Sequence, residues 1–470
     1  MTTTVAPPET RPALTRSGLA TVLLGAALAP LDLFIVNVAL PTINADLHAT
    51  TATLEWIVAG YGIAFALLLV VGGRLGDALG HRRVFSLGLA VFTLTSLICG
   101  LAPNATVLVV ARVAQGAAAA LMVPQVLSII QATTTGEQRA RMLGYYGAAG
   151  GIAMVVGQLL GGVLVSADLA GSGWRPIFLV NVPIGLLGLV LARRLLPQTR
   201  ARNPLGVDGW GTALLGLTLL TLLVPLMEGR TLGWPVWCWV LLGAFPFAAA
   251  AFLTVERRLE ARGVTPLLPP SVLRMPSMRR GLSVAVPFFI GFGGFMFVYA
   301  LTLQDGLRLG PLGSGLAVTP LAVGFLVMSL FSSRFVARLG RYTIVAGTTV
   351  QVLGLLTLIG AVLLAWPDVA ALTLAPGMLL TGAGQGLTAP TLFRVILSRV
   401  PAESAGAGSG MLTTTQQSSL ALGVATLGTL FATLTPPLGM EGALLLVTGV
   451  QAIMILGIAL SARRLPDPRG

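Results

Sequence analysis

Arg112 stands inside an apolar run from Val107 to Gln131, and Asp32 stands inside the first apolar run of the chain. A guanidinium near a bilayer centre costs at least about 2.5–3.5 kcal/mol by insertion scales, so a charge kept there is read as functional. One fixed cation and one titratable acid in such surroundings are the parts of a proton relay. Asp32 would load and release the proton, and Arg112 would steer that exchange through its charge. The plainer readings are that Asp32 is solvated near a helix end or makes a fixed interhelical hydrogen bond, and that Arg112 orders the first and fourth helices through Gln115 and Asn37.

Six uncharged polar residues also lie in or near apolar runs: Asn37, Gln115, Gln125, Gln385, Gln416 and Gln417. They are the candidates to line a substrate cavity, with interhelical hydrogen bonding as the alternative. Glu228 and Asp305 fall at predicted helix ends, where solvation is cheap, and are candidate exit-gate residues. Trp56, Trp174, Trp234, Trp237 and Trp366 cluster at predicted outer boundaries and read as an interfacial aromatic belt. Other chemistries are poorly supplied. Cys99 and Cys238 lie in separate segments without metal or redox spacing, and the two histidines, His48 and His81, fall on opposite sides of the membrane. A metal site and catalytic residues for an enzyme acting on lipid are therefore not expected. All 29 basic residues are Arg, and without Lys there is no phosphate-binding P-loop. Energy is expected from the proton-motive force, with no cofactor.

The elements that must hold these residues follow from composition. With 55% hydrophobic residues, 10% charged and a mean hydropathy of +0.90, the chain is an all-α polytopic membrane protein. A ruler of roughly 20 residues per crossing gives about fourteen segments, beginning near Ser17, Leu54, Val84, Val107, Met142, Pro176, Gly209, Pro235, Gly281, Leu312, Tyr342, Ala370, Ala407 and Gly442. The net charge of +13 does not indicate nucleic acid, because the Arg residues punctuate the gaps between apolar runs. With Met1 in the cytoplasm, 25 of the 29 face inward, three (Arg175, Arg230, Arg308) face outward and Arg112 is within the membrane. The positive-inside rule thus sets the orientation, and an even helix count returns Arg463 and Arg464 to the same side. The first apolar run is too long for a signal peptide core and reads as a retained helix. Abundant Ala, Gly and Arg without Lys points to a bacterial cytoplasmic membrane.

An internal repeat organises the chain. Leu79-Gly80 and Leu339-Gly340 lie about 260 residues apart, and Gln115-Gly116 and Gln385-Gly386 about 270 apart. Parallel repeats of this kind build secondary transporters with a substrate site between the halves. The expected division is a cytoplasmic tail over 1–16, a six-helix bundle over 17–200, two inserted helices over 201–255, a cytoplasmic linker over 256–280, a second bundle over 281–462 and a tail over 463–470. Pro266, Pro269, Pro270 and Pro276 disfavour regular helix in the linker.

These residues carry a family resemblance. The loop Gly73 to Arg83 resembles the signature loop of the major facilitator superfamily. Leu31-Asp32 with Ile35 to Pro41, then Arg112-Val113-Ala114-Gln115-Gly116, then Gly157-Gln158-Leu159-Leu160-Gly161-Gly162 resemble motifs of its drug:proton antiporters. Trp174 to Gly185 is similar to a segment typical of the fourteen-helix branch. Three departures stand out: Gln158 where the antiporter motif usually has Pro, Ala78 where the loop usually has a basic residue, and a thirteenth helix without the acids that some cation exporters carry.

The resemblance implies a major facilitator fold of two six-helix bundles plus two extra central helices. It also implies proton coupling through Asp32 and Arg112, and a conformational latch formed by Gly73, Asp77, Gly80, Arg82 and Arg83. A hinge that seals against proton leak would be formed by Gly157, Gln158, Gly161 and Gly162, within a small-residue stripe that includes Gly147 and Gly151. The expected activity is proton-coupled export of a small amphipathic drug or secondary metabolite by a monomer. The alternatives are a proton-coupled importer of the same fold, and a non-transporting sensor or scaffold.

Overall fold

The computed structural model describes residues 14–134, 136–199, 208–229, 231–264, 266–400 and 405–467. Most of the expected N-terminal tail, the boundary at residue 201 and Arg230 lie outside the described residues. No strand occurs among the described residues. Counting membrane-length helices, α1 is Arg16–Leu47, α2 Thr51–Leu79, α3 His81–Gly100, α4 Ala105–Thr133, α5 Gly136–Ala167 and α6 Pro176–Leu195. Next come α7 Gly209–Glu228, α8 Val236–Ala261, α9 Pro276–Gly306, α10 Pro311–Leu339, α11 Tyr342–Ala365, α12 Ala371–Leu397, α13 Ala405–Gly423 and α14 Thr429–Ala462.

Twelve helical stretches among the described residues are long and apolar enough to cross a bilayer. The last of them runs from Gly408 to Ala462 through a π turn at Val424–Gly428, and breaks at Gly439 (φ 71°) into two crossings. α12 is a 27-residue helix that falls short of that hydropathy standard yet packs against α10 and α11. The expected count of about fourteen is reached only with these two included.

Side-chain oxygens start several helices. Thr15 accepts from Gly18 N at 3.0 Å, Asn104 from Val107 N at 2.9 Å and Asp208 from Gly211 N at 2.8 Å, satisfying amides that a helix start leaves unpaired. The linker differs from expectation. α8 continues to Ala261, a five-residue helix spans Pro270–Arg274, and α9 already starts at Pro276. Pro270 and Pro276 open helices instead of preventing them, since a first-turn residue has no amide bond to lose.

The repeat is visible in packing. In the first half α1 packs on α5 and α6, α2 on α4, and α3 on α4 and α6; in the second, α9 packs on α13 and α14, α10 on α12, and α11 on α12 and α14. The most extensive contacts between the halves are α2 on α13 and α5 on α10, so the second helix of each half meets the fifth of the other, with α1 also touching α9. Both quoted sequence pairs have a backbone reason. Gly80 and Gly340 take positive φ (99° and 57°) and close their helices with N–H bonds of 2.8 Å to Gly76 O and Val336 O. Gly116 lies against the Tyr61 carbonyl, and Gly386 against the Phe325 carbonyl, so closely that a Cβ at either would collide with it. The inserted α7–α8 hairpin is central in sequence but peripheral in space, with α7 lying on α2 and touching α13 and the π turn.

The close approach at Gly116 generates a test. Gly116→Val should destabilise the protein by about 1–3 kcal/mol, the usual cost of overpacking. Gly360→Ala, in a helix with nothing within 4 Å of the added carbon, should be neutral or stabilising by about 0.5–1 kcal/mol. Thermal unfolding in detergent reads both; equal melting temperatures would contradict the close packing of α2 and α4.

Candidate functional site

Asp32, Arg112, Gln115, Ser96 and Asn181 are all fully buried and come together from α1, α4, α3 and α6. Arg112 Nη1 donates to Asp32 Oδ2 in a charged hydrogen bond. Gln115 Nε2 and Asn181 Nδ2 each donate to Asp32 Oδ1 at 2.8 Å. Arg112 also donates from Nη1 to Gln115 Oε1 at 2.7 Å and from Nε to the Ile57 carbonyl at 3.0 Å. Gln115 Nε2 reaches Ser96 Oγ at 2.7 Å. The guanidinium carbon sits 4.4 Å from the centre of the Tyr61 ring and 5.7 Å from that of Phe178, within cation–π range. Two atoms of the network stay unmatched, Arg112 Nη2 and Asn181 Oδ1.

Local packing fixes α1 in this place. Gly157 and Gly161 of α5 lie where a Cβ would come within 2.8 Å of Leu31 O and 2.9 Å of Ile35 O, on either side of Asp32. Gly151 and Gly162 face the other way, against Leu326 and Pro311 of α10. The glycine stripe therefore serves two seams. Gly147, expected in the stripe, has nothing within 4 Å and belongs to neither seam.

A cleft opens between the halves, lined by Leu33, Phe34 and Asn37 of α1 together with Phe292, Met296, Gln417 and Leu420. A narrower arm continues past Asn37 to Gln158, Phe295, Tyr299, Gln304 and Ser314. Of the six polar cavity candidates, only Asn37 and Gln417 line this space. Gln115 is spent on the ion pair. Gln125 binds Gly72 O at 2.8 Å, Leu121 O at 3.0 Å and the His81 ring at 3.0 Å, joining α2, α3 and α4. Gln385 is buried inside its own half, and Gln416 is half-buried beside the cleft-lining Gln417. Asp32 and Arg112 do not line the cleft either.

The latch residues are held within their own half and by the linker. His81 Nε2 is 3.7 Å from Asp77 Oδ1, Arg82 Nη1 donates to Leu196 O at 3.1 Å, and His81 N to Thr199 O at 2.9 Å. Gly73 passes Pro124, and Arg83 is exposed. Arg74, which the sequence reading passed over, is buried and donates to Pro266 O at 2.5 Å. At the opposite end, which carries the α1–α2 turn, hydrogen bonds join the halves. Gln304 Nε2 donates to Val38 O at 2.6 Å, Leu312 N to Ser166 Oγ at 2.8 Å, and Thr429 Oγ1 reaches Glu55 Oε1 at 3.5 Å. Glu55, which the sequence reading did not single out, is 1% exposed. Glu228 accepts from Trp56 Nε1 at 2.8 Å, and Asp305 lies in a π turn closing α9. Trp174 is not part of a lipid-facing belt: it is wholly buried and donates to Asp46 at 2.9 Å.

Residues 22–424 match the family model of the Major Facilitator Superfamily. The chain belongs to the major facilitator superfamily. As a member, it shares 39% identity with a probable actinorhodin transporter of Streptomyces coelicolor, over 87% of this chain and 71% of that protein. It is 38% identical to a cephamycin export protein of Amycolatopsis lactamdurans (84% and 81% covered) and 33% to a tetracenomycin C resistance and export protein of Streptomyces glaucescens (87% and 75%). Solved structures with the same fold include a D-xylose–proton symporter, at TM-score 0.68 and 15% identity, covering 96% of this chain and 98% of that one. A POT peptide transporter matches at TM-score 0.68 and 14% identity, with 96% of each chain covered. The major facilitator fold is thus present, in a membrane-embedded transporter family.

The buried network predicts an asymmetry between single and double substitutions. Arg112→Met alone leaves the Asp32 carboxylate buried without a counter-charge and should cost about 3–5 kcal/mol. Adding Asp32→Asn should recover most of that loss. Thermal unfolding of the purified proteins decides it, and a double variant no more stable than the single one would show that the pair is not the source of the cost.

Proposed function

We propose that this protein is a proton-coupled antiporter that exports small amphipathic compounds, drugs or secondary metabolites, from a bacterial cell by alternating access as a monomer. The observation that carries the coupling is the position of α1. Asp32 faces the sealed network, while Leu33, Phe34 and Asn37, one to five residues further on, face the cleft. One helix thus reports the charge of the acid to the substrate space. Export as the direction is supported by the relatives named for export or resistance.

In this reading the end carrying Arg82, Arg83, Arg193, Arg194 and the C-terminal Arg463 and Arg464 faces the cytoplasm. The hydrogen-bonded seam at Val38, Ser166 and Glu55 is then the closed outer gate. A proton arriving from outside neutralises Asp32 and removes its attraction for Arg112. The guanidinium, now buried without a counter-charge, drives α1, α4 and α6 to rearrange, and this biases the halves about their two seams. The membrane potential supplies about 2.3 kcal/mol per charge per 100 mV, enough for roughly 50-fold accumulation per proton. The proton-motive force is the energy source, and the latch and α5 glycines act on the movement of the halves.

Inverted membrane vesicles with a preformed proton gradient test this. Addition of a transported compound should partly collapse the gradient with wild-type protein, and Asp32→Asn, compared at equal amounts of folded protein, should abolish that response. Undiminished collapse by Asp32→Asn would remove Asp32 from coupling, and uptake driven in the opposite sense would replace export by import.

A further inference from the structure

Gln158 and Ser314 face the narrow arm of the cleft from opposite sides of the α5–α10 seam. The backbones are close here: a Cβ at Gly315 would lie 2.9 Å from Gln158 O, and one at Gly162 would lie 3.0 Å from Pro311 O. Yet Gln158 Nε2 and Ser314 Oγ, in side chains 1% and 2% exposed, have no hydrogen-bond partner. A buried polar group left unpaired is uncommon and costly, and here two address one space. An amide nitrogen can only donate and a hydroxyl can donate, so the complement to both is an acceptor oxygen.

The rest of the lining narrows the ligand further. Among the described residues no Asp, Glu, Arg or His lines either the cleft or its arm. A cation entering would leave water without a counter-charge, at a cost its apolar contacts must overcome. The walls offer flat apolar faces instead: Phe292 meets Phe34 and Phe325 edge-on at 6.3 and 6.2 Å, and the Phe295 and Tyr299 rings stack at 4.2 Å. We propose that Gln158 and Ser314 form a hydrogen-bonding subsite that selects uncharged planar compounds by a carbonyl oxygen, in preference to lipophilic cations. This rests on the reading of the chain as an exporter, and gives the side chain standing in place of the antiporter motif's usual proline a role in recognition.

The test is direct binding to purified protein in detergent. The probes are 1,8-dihydroxyanthraquinone, the anthracene-1,8-diol that lacks its two carbonyls, and tetraphenylphosphonium. The quinone should bind at least tenfold more tightly than the other two. Gln158→Leu and Ser314→Ala should each weaken the quinone by about tenfold, the scale of one hydrogen bond, without changing the diol; unaltered melting temperatures exclude misfolding. Failure of the quinone to bind, equal affinity for quinone and diol, unchanged quinone affinity in both variants, or tighter binding of the phosphonium overturns the subsite. Gradient collapse in inverted vesicles separates the two readings. Quinone selectivity without collapse would overturn proton-coupled transport and leave the subsite standing, and collapse by the phosphonium, undiminished in both variants, would do the reverse.

Discussion

A single buried ion pair sets the terms for the first half of this molecule. Asp32 and Arg112 lie on helices that are not neighbours in sequence, and neither charge is exposed. Buried charge is tolerable only where geometry and hydrogen bonds replace water. Asn181 and Gln115 provide that replacement for the carboxylate, with Ser96 holding Gln115 from behind, while Tyr61 and the Ile57 carbonyl hold the guanidinium. Five helices of the half thereby converge on one acid. Whatever changes the charge on that acid must be felt by all of them.

The glycine contacts make that response collective. Where α4 meets α2, and α12 meets α10, backbone rests on backbone with no side chain between to yield. Close packing of this kind transmits displacement instead of absorbing it. Each half is a stiff unit, and the places left to yield lie between the halves along the cleft, where apolar side chains and a few hydrogen bonds intervene.

Much of this was legible in the sequence, for definite reasons. A charge in an apolar run is conspicuous, so Asp32 and Arg112 stood out, and Gln115 with them. Their partner Asn181 lies 149 residues from Asp32, a separation over which no spacing rule operates. Ser96 looks like any small polar residue in a membrane helix. Glu55 lies near a helix start, where a carboxylate is ordinarily solvated and carries no signal, and only the fold shows that α14 covers it. Polarity in an apolar run identified Gln125 and Gln385 equally with Asn37 and Gln417, since it cannot tell a residue aimed into its own half from one aimed between halves. The repeat was readable because its glycines answer to backbone geometry, which survives where side chains have diverged.

The placement of the inserted hairpin breaks the symmetry that the repeat would otherwise impose. α7 lies along α2 and reaches α13 and its π turn, so one of the two seams is roofed by additional helix. The α5–α10 seam has no such cover among the described residues. The bilayer therefore meets the two seams unequally, one lying beneath an extra hairpin and the other, which carries Gln158, without it.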